Sequence, residues 1–317
     1  MTLNVLQRVG RSLLVVVLVT VAVVWLLSLA PGSAADVILG ENATPEAVAD
    51  LNAELGLDEP LWQQYTTWIG NAVTGDLGTS PINDRPVMTA ISERLPVTLE
   101  LAFVGLFLAL VSAIILAVLS AWKPGSALDR AIGAFTSVLL SVPAFIAGPL
   151  LIYFFALKLG WLPVAGWGWI GDGLADNLRG IILPALAISL IETAAFYRVL
   201  RSDLLATLRE DYFAAARAKG MSWLYVLFRH ALRPSSFSLI TLAGINLGRL
   251  IGGTVIVEAL FGFPGLGQLI AMSITTRDIV TVQGAVAFIA VAYVVVNMLV
   301  DVSYGFLDPR VRKAARA

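Results

Sequence analysis

The chain has 317 residues, of which 58% are hydrophobic and 14% charged, with a mean hydropathy of +0.85. Soluble domains carry about 25% charged residues, so these charges are too few to coat a soluble surface, and the long apolar runs point to a multi-pass membrane protein. A balance of 21 Lys+Arg against 22 Asp+Glu, no cysteine and a single histidine argues against a basic nucleic-acid binder, a disulfide framework, a thiolate metal site and a histidine relay.

A bilayer crossing needs about 20 mainly apolar residues. The first candidate runs from Leu13 to Ala30, after a leading segment 1–12 that carries Arg8 and Arg11. Two arginines, an apolar core and the small-residue stretch from Pro31 to Ala35 also fit a secretory signal peptide. An apolar run of about 18 residues exceeds the usual signal core of about 7–15, so a retained helix is expected.

Residues 31–95 form the largest polar segment and hold Asp36, Glu41, Glu46, Asp50, Glu54, Asp58, Glu59, Asp76, Asp84 and Glu93. Thr44-Pro45-Glu46 reads as an N-cap, a proline at the first helical position and an acidic first turn. Gly56 is the expected stop of that helix. A second helix is expected from Pro60 to Val73, with Leu61, Tyr65, Trp68, Ile69 and Ala72 at helical spacing. Trp62, Tyr65 and Trp68 fit an interfacial belt, internal packing or a docking surface.

Five further spans are expected at 96–122, 131–157, 181–200, 237–257 and 280–306. Glu100 stands near the start of the first of these, where an acid suits a helix N-terminus. Pro143 and Pro149 interrupt the span at 131–157, and Pro184 stands near the start of the next. Between them Trp161, Trp167 and Trp169 lie among glycines, as interface anchors would. The stretch from Ala259 to Arg277, semi-apolar and glycine-rich, reads as a surface or re-entrant loop, after Glu258 at the end of the span before it.

The polar loop 201–236 is the most informative stretch. Asp211 to Lys219 reads as a short alanine-rich helix with an acid at its start and a base at its end. Gly220 stops it and Ser222 caps the next helix. Ala214, Ala215 and Ala216 make a surface small enough for another chain to approach closely. A plain charged connector fits the same local physics. His230 reads as a capping or packing residue.

Two charges fall inside spans: Glu192 near the middle of 181–200 and Arg249 near the middle of 237–257. Their depths differ by only about 3 Å at about 1.5 Å rise per residue. Ionisable groups at membrane depth are costly and tend to be paired or functional, so the two are expected either to pair or to face an aqueous path. The remaining basic residues divide unevenly. One side receives Arg8, Arg11, Lys123, Arg130, the run from Arg198 to Arg233, and Arg310, Arg312, Lys313 and Arg316; the other receives only Arg85, Arg94, Lys158, Arg179 and Arg277. The positive-inside rule then places both termini, including the tail 307–317, in the cytoplasm and residues 31–95 outside.

The segment Asp211-Tyr212-Phe213-Ala214-Ala215-Ala216-Arg217-Ala218-Lys219-Gly220 resembles the EAA motif of ABC-importer membrane subunits, in the form found in the dipeptide/oligopeptide/nickel permease family. Leu55 to Tyr65 and Gly75 to Thr79 look like that family's first outer region, and Arg94 to Leu101 looks like its entry to the second span. Glu258 to Gly267 resembles its loop after the fifth span, and Leu307-Asp-Pro-Arg310 its C-terminal signature. One departure concerns Pro234, which follows Arg233 directly, whereas the family's proline stands near the position of Ser238.

The resemblance, to a B-type oligopeptide or dipeptide permease, implies an all-α membrane protein with six transmembrane helices in the type I ABC importer permease fold. A small extracytoplasmic helical segment follows the first helix. It implies that Asp211, Tyr212, Ala214, Ala215, Ala216, Arg217, Ala218, Lys219 and Gly220 belong to a coupling helix seated in a cleft of a cytoplasmic ATPase. The implied partners are a second, homologous permease chain in a heterodimer, two ABC ATPase subunits and an extracytoplasmic substrate-binding protein. The setting is a bacterial or archaeal cell membrane. ATP and Mg2+ belong to the ATPase subunits. The chain has no Gly-x-x-x-x-Gly-Lys-Ser/Thr loop, and Gly262 to Gly267 lacks the Lys-Ser/Thr and is expected outside. No catalytic, cofactor-binding or metal-binding residue is expected.

The implied cargo is a di- or oligopeptide or a related solute such as glutathione or a nickel chelate, chosen largely by the binding protein. An ion-coupled secondary transporter acting without ATPase partners is the competing reading. An intramembrane enzyme would need a constellation that one histidine and no cysteine do not supply.

Overall fold

The computed structural model describes residues 2–29, 31–171 and 173–307, with side chains for 10–29, 31–171 and 173–300. The Asp308-Pro309-Arg310 part of the C-terminal signature, the rest of the tail, and the side chain of Arg8 lie outside them. The described residues are helical, apart from turns and one isolated bridge between Thr79 and Pro86. In order, they form α1 (Thr2–Ser28), α2 (Ala34–Leu39), α3 (Pro45–Glu54), α4 (Leu61–Val73), α5 (Val87–Trp122), α6 (Ala127–Ser141) and α7 (Ala144–Leu151). Then come α8 (Leu174–Thr207), α9 (Asp211–Ala218), α10 (Trp223–Val226), α11 (Arg233–Gly253), α12 (Val255–Phe261), α13 (Leu266–Thr275) and α14 (Ile279–Leu307). Wider π-helical turns extend α7 over Ile152–Lys158 and join α10 to α11 over Leu227–Leu232.

Four of these helices are long and apolar enough to cross a membrane unbroken: Gly10–Ser28 of α1, α5, α8 and Ile279–Val300 of α14. Two bent pairs bring the number to six if each counts as one span. The pair around 131–157 bends by 105° between Ser141 and Ala144, so Pro143 breaks this segment while Pro149 is carried inside α7. The pair ending at Phe261 bends by 51° at Thr254. Its first arm begins at Trp223, well before the expected start at Phe237.

Sequence punctuation misplaced other helix starts for one physical reason. Proline at position 96 or 184 reads as a first-turn residue, yet both sit inside helices, because buried neighbours outweigh the lost backbone donor. Val87 and Ile91 before Pro96, and Ile181 and Leu183 before Pro184, are completely buried. Glu100 therefore lies well inside α5, not at a helix N-terminus. Ala259 to Arg277 is mainly helical, because Leu266, Leu269 and Ile270 are buried at helical spacing.

The chain divides into two units, with α5 and α14 contributing to both. The first comprises Met1–Leu99 and Pro264–Val295. Its core joins Leu77, Val87 and Ile91 to Leu266, Leu269, Ile270, Val282 and Ala285, with Val23, Leu27, Trp68 and Ala72 packed against it. Buried Asp278 caps α14, accepting from the Thr281 amide and hydroxyl at 3.1 and 2.6 Å and from the Ser80 hydroxyl at 2.5 Å. The expected helix after Thr44 is present, with Gly56 left-handed at its end. On α4, Tyr65 reaches Thr20 at 2.9 Å and the Trp68 indole donates to the Leu77 carbonyl at 3.2 Å, so these two rings serve internal packing while Trp62 stays exposed.

The second unit comprises Glu100–Phe263 and Val296–Ala317. It is built around α8, whose most apolar stretch is 72% buried, against 39% for that of α5. α6, α7 and α11 pack on α8. Trp167 is no simple interface anchor: its indole donates to Glu100 Oε2 at 2.9 Å and its ring meets Trp169 edge to face at 4.6 Å. Glu258 is fully buried and accepts from Thr254 at 2.7 Å.

Candidate functional site

The loop that follows α8 builds a small helical unit from local rules. Alanine supplies helix propensity to α9, and Asp211 in the first turn and Arg217 in the last each complement the helix dipole by about 0.3–1 kcal/mol. The helix ends on Gly220 at φ +83°, a conformation that costs a residue with a side chain about 1–2 kcal/mol. The amides of Gly220 and Met221 return to Arg217 and Ala216 at 2.9 and 3.3 Å. Ser222 then caps α10 by accepting from the Tyr225 amide at 3.4 Å.

One face of α9 is fastened down. Phe213 and Ala216 are buried, and the Phe213 ring meets Trp223 edge to face at 5.2 Å. Arg217 lies over the same indole and donates to the Met221 carbonyl at 2.9 Å. The Tyr212 hydroxyl donates to the His230 carbonyl at 3.4 Å. That carbonyl lies four residues before Pro234, which has no N–H to offer it. Burial, with the neighbouring Glu210 carboxylate, pushes the Tyr212 phenol above its usual value, so this donor keeps its proton. His230 is a packing residue, its ring 5.8 Å from that of Tyr225.

The other face of α9 is open. Ala214, Ala215 and Ala218 are exposed, bordered by exposed Asp211 and Lys219. Of the three alanines read as one surface, Ala216 turns inward. The body formed by α9 and α10 continues through the π-helical turn into α11.

On α11 the structure brings the two intramembrane charges together. Arg249 Nη2 contacts Glu192 Oε1, and Asn246 donates to Glu192 Oε2 at 2.8 Å. Glu192 is buried, whereas the Arg249 side chain is 58% exposed within this chain. The guanidinium therefore holds a buried acid while much of its own side chain stays exposed. Asn246, one helical turn before Arg249, was missed because an amide in an apolar span carries no distinguishing sequence signal.

A second ion pair was also missed. Arg201 Nε and Nη2 grip Asp129 Oδ1 and Oδ2 at 2.9 and 2.8 Å. Ser120 donates to the same carboxylate, as does the Gly125 amide at 2.8 Å. The Ser120 hydroxyl also meets Tyr197 at 3.1 Å. Ser126 three residues before Asp129 is a legible capping pattern, but nothing in the sequence ties either to Arg201. No group of three or more His, Cys, Asp or Glu suited to a metal ion occurs among the described residues.

Comparison with known proteins gives consistent matches. The family described as "Binding-protein-dependent transport system inner membrane component" matches residues 113–313, and its N-terminal counterpart matches residues 1–102. A probable peptide ABC transporter permease protein, y4tP of Sinorhizobium fredii (strain NBRC 101917 / NGR234), is 38% identical over 98% of this chain and 100% of its own length. The dipeptide transport system permease protein DppB of Alkalihalophilus pseudofirmus is 34% identical over 97% of this chain and 98% of its own. Among solved structures, a chain of an amino acid ABC transporter crystallised with histidines superposes with a TM-score of 0.52 at 17% identity. It covers 68% of this chain and 92% of that one, a likeness of fold.

Proposed function

The chain belongs to the family of binding-protein-dependent transport system inner membrane components, and from that premise we propose that it carries peptides across the membrane by alternating access driven through α9. It is a membrane-embedded, multi-pass permease subunit of an ABC importer, and ATP hydrolysis belongs to other subunits of the transporter. Peptides are the cargo named for the relatives that match nearly the whole chain. The working assembly in this reading pairs the chain with a second homologous permease, two cytoplasmic ATPases that bind ATP and Mg2+, and an extracytoplasmic binding protein. Both termini lie in the cytoplasm of a bacterial or archaeal cell and residues 31–95 lie outside.

The observation that carries the coupling role is the two-sidedness of α9. Tyr212, Phe213 and Arg217 anchor it to the segment leading into α11, while Ala214, Ala215 and Ala218 stay bare. A small-residue surface lets an ATPase cleft approach the backbone closely, and the anchors pass its motion to the helix that holds Arg249. Asp211, Lys219 and Gly220 frame that surface. Glu192 and Arg249 form a paired charge on the translocation path, the exposed guanidinium side facing the aqueous route.

The test is reconstitution of the chain with the ATPase and binding-protein subunits that co-purify with it, in Ala215→Trp and Gly220→Pro forms. Both variants insert in the membrane, and both lower the peptide taken up per ATP hydrolysed. Wild-type coupling in both removes α9 from the mechanism. Peptide uptake by the chain alone, without ATP, overturns the importer reading altogether.

A further inference from the structure

We propose that the cleft between α6 and the last turns of α8 binds the phosphate of an anionic phospholipid. The cleft measures about 640 Å³, opens at the protein surface, and is lined by Asp129, Arg130, Ser137, Arg198, Arg201 and Arg209 among others. Its charge balance is unusual for a chain with a net charge of -1. Four arginines face a single acid, and that acid is already neutralised: Arg201 takes both oxygens of Asp129. Arg130 donates once, to the Gly125 carbonyl at 3.0 Å. Among the described residues, Arg130, Arg198 and Arg209 take part in no ion pair. Three guanidinium groups around one concavity repel one another unless an anion sits between them, and a phosphate matches their forked donors.

The surroundings select the source of that phosphate. The cleft starts at the first turn of α6, just after exposed Trp122 and Lys123, residue types that settle at the headgroup level. Past the cleft on the same face of α6, one turn after Ser137, Leu140 is exposed, an apolar surface on which an acyl chain can lie. Basic pockets between membrane helices are suited to anionic headgroups. A soluble phosphate would use the guanidinium groups but leave that apolar surface unused. Arg209 stands two residues before α9, so a headgroup held there fastens the entry to that helix. The proposed orientation enters only in assigning the lipid to the cytoplasmic leaflet; the cleft and its charges do not depend on it.

The experiment uses the intact transporter, purified into nanodiscs of phosphatidylcholine doped with phosphatidylglycerol and examined by native mass spectrometry. Wild-type protein retains phosphatidylglycerol in preference to phosphatidylcholine. Replacing Arg130, Arg198 and Arg209 singly by Gln weakens that retention by about fivefold per guanidinium, whereas Lys at all three positions keeps most of it. Arg201 is left in place because it holds Asp129. Equal retention by the wild type and the triple Gln variant overturns the proposal. So does displacement of the bound lipid by millimolar inorganic phosphate, which would assign the site to a soluble anion. Loss of ATPase-subunit co-purification in the triple Gln variant, with lipid retention unchanged, would assign these arginines to a protein interface instead. Failure of peptide uptake in every form, with lipid retention as expected, would count against the importer reading and not against the lipid site.

Discussion

Asp129 and Arg201, separated by 72 residues of sequence, meet through two parallel hydrogen bonds of 2.8 and 2.9 Å at the join between α6 and α8. Asp129 is 5% exposed and Arg201 31%, so the acid depends on the base far more than the reverse. The pair fixes the end of α8 from which the loop leading to α9 departs.

That asymmetry sets an order. Arg201→Ala strands a buried carboxylate and is expected to cost about 3–5 kcal/mol. Asp129→Asn keeps the shape, leaves a guanidinium that water reaches, and is expected to cost about 1–3 kcal/mol. Thermal unfolding of the purified chain in lipid nanodiscs reads the difference. A larger loss for Asp129→Asn would mean that the pair does not anchor this join.

The Glu192 and Arg249 pair predicts a similar order with a different rescue. Arg249→Gln leaves buried Glu192 with Asn246 alone and is expected to remove about 3 kcal/mol or more. Glu192→Gln leaves an exposed arginine and costs less. Exchanging the two charges in one chain is expected to recover much of the folded, membrane-inserted protein that Arg249→Gln loses. A double exchange no better than that single change would show that the two residues act separately.

Among the described glycines of the second unit, Gly180 leaves a Cβ the least room. A Cβ there would run into the Gly166 carbonyl oxygen, a backbone atom that no rotamer change can move aside. Asn177, one turn earlier, donates to the Gly168 carbonyl at 2.7 Å and holds the same segment. Gly180→Ala is expected to push the Trp167 segment off α8 and to cost about 1–3 kcal/mol. Release of Trp167 from Glu100 is read as a shift in intrinsic tryptophan fluorescence. Unchanged fluorescence would show that the segment yields without losing that bond.

Composition and periodicity made the membrane character, the helical class and the short helix at Asp211 legible, because each depends on residues close in sequence. Local capping chemistry is visible for the same reason: Thr44 and Pro45, Gly56, Gly220 and Ser222 act where they stand. Glu192 and Arg249 stood out because charges are rare in apolar spans, and their matched depth made a pairing imaginable. The partners of those signals were decided elsewhere. Arg201 chooses Asp129, Trp167 chooses Glu100, and Asn246 joins Glu192 only once helices distant in the chain lie side by side. Packing also overruled punctuation, carrying α5 through Pro96 and α8 through Pro184 while breaking the chain at Pro143. A residue's propensity acts over a turn or two and is worth a few tenths of a kcal/mol to a few kcal/mol, whereas a buried contact draws on whichever surface the fold brings to it.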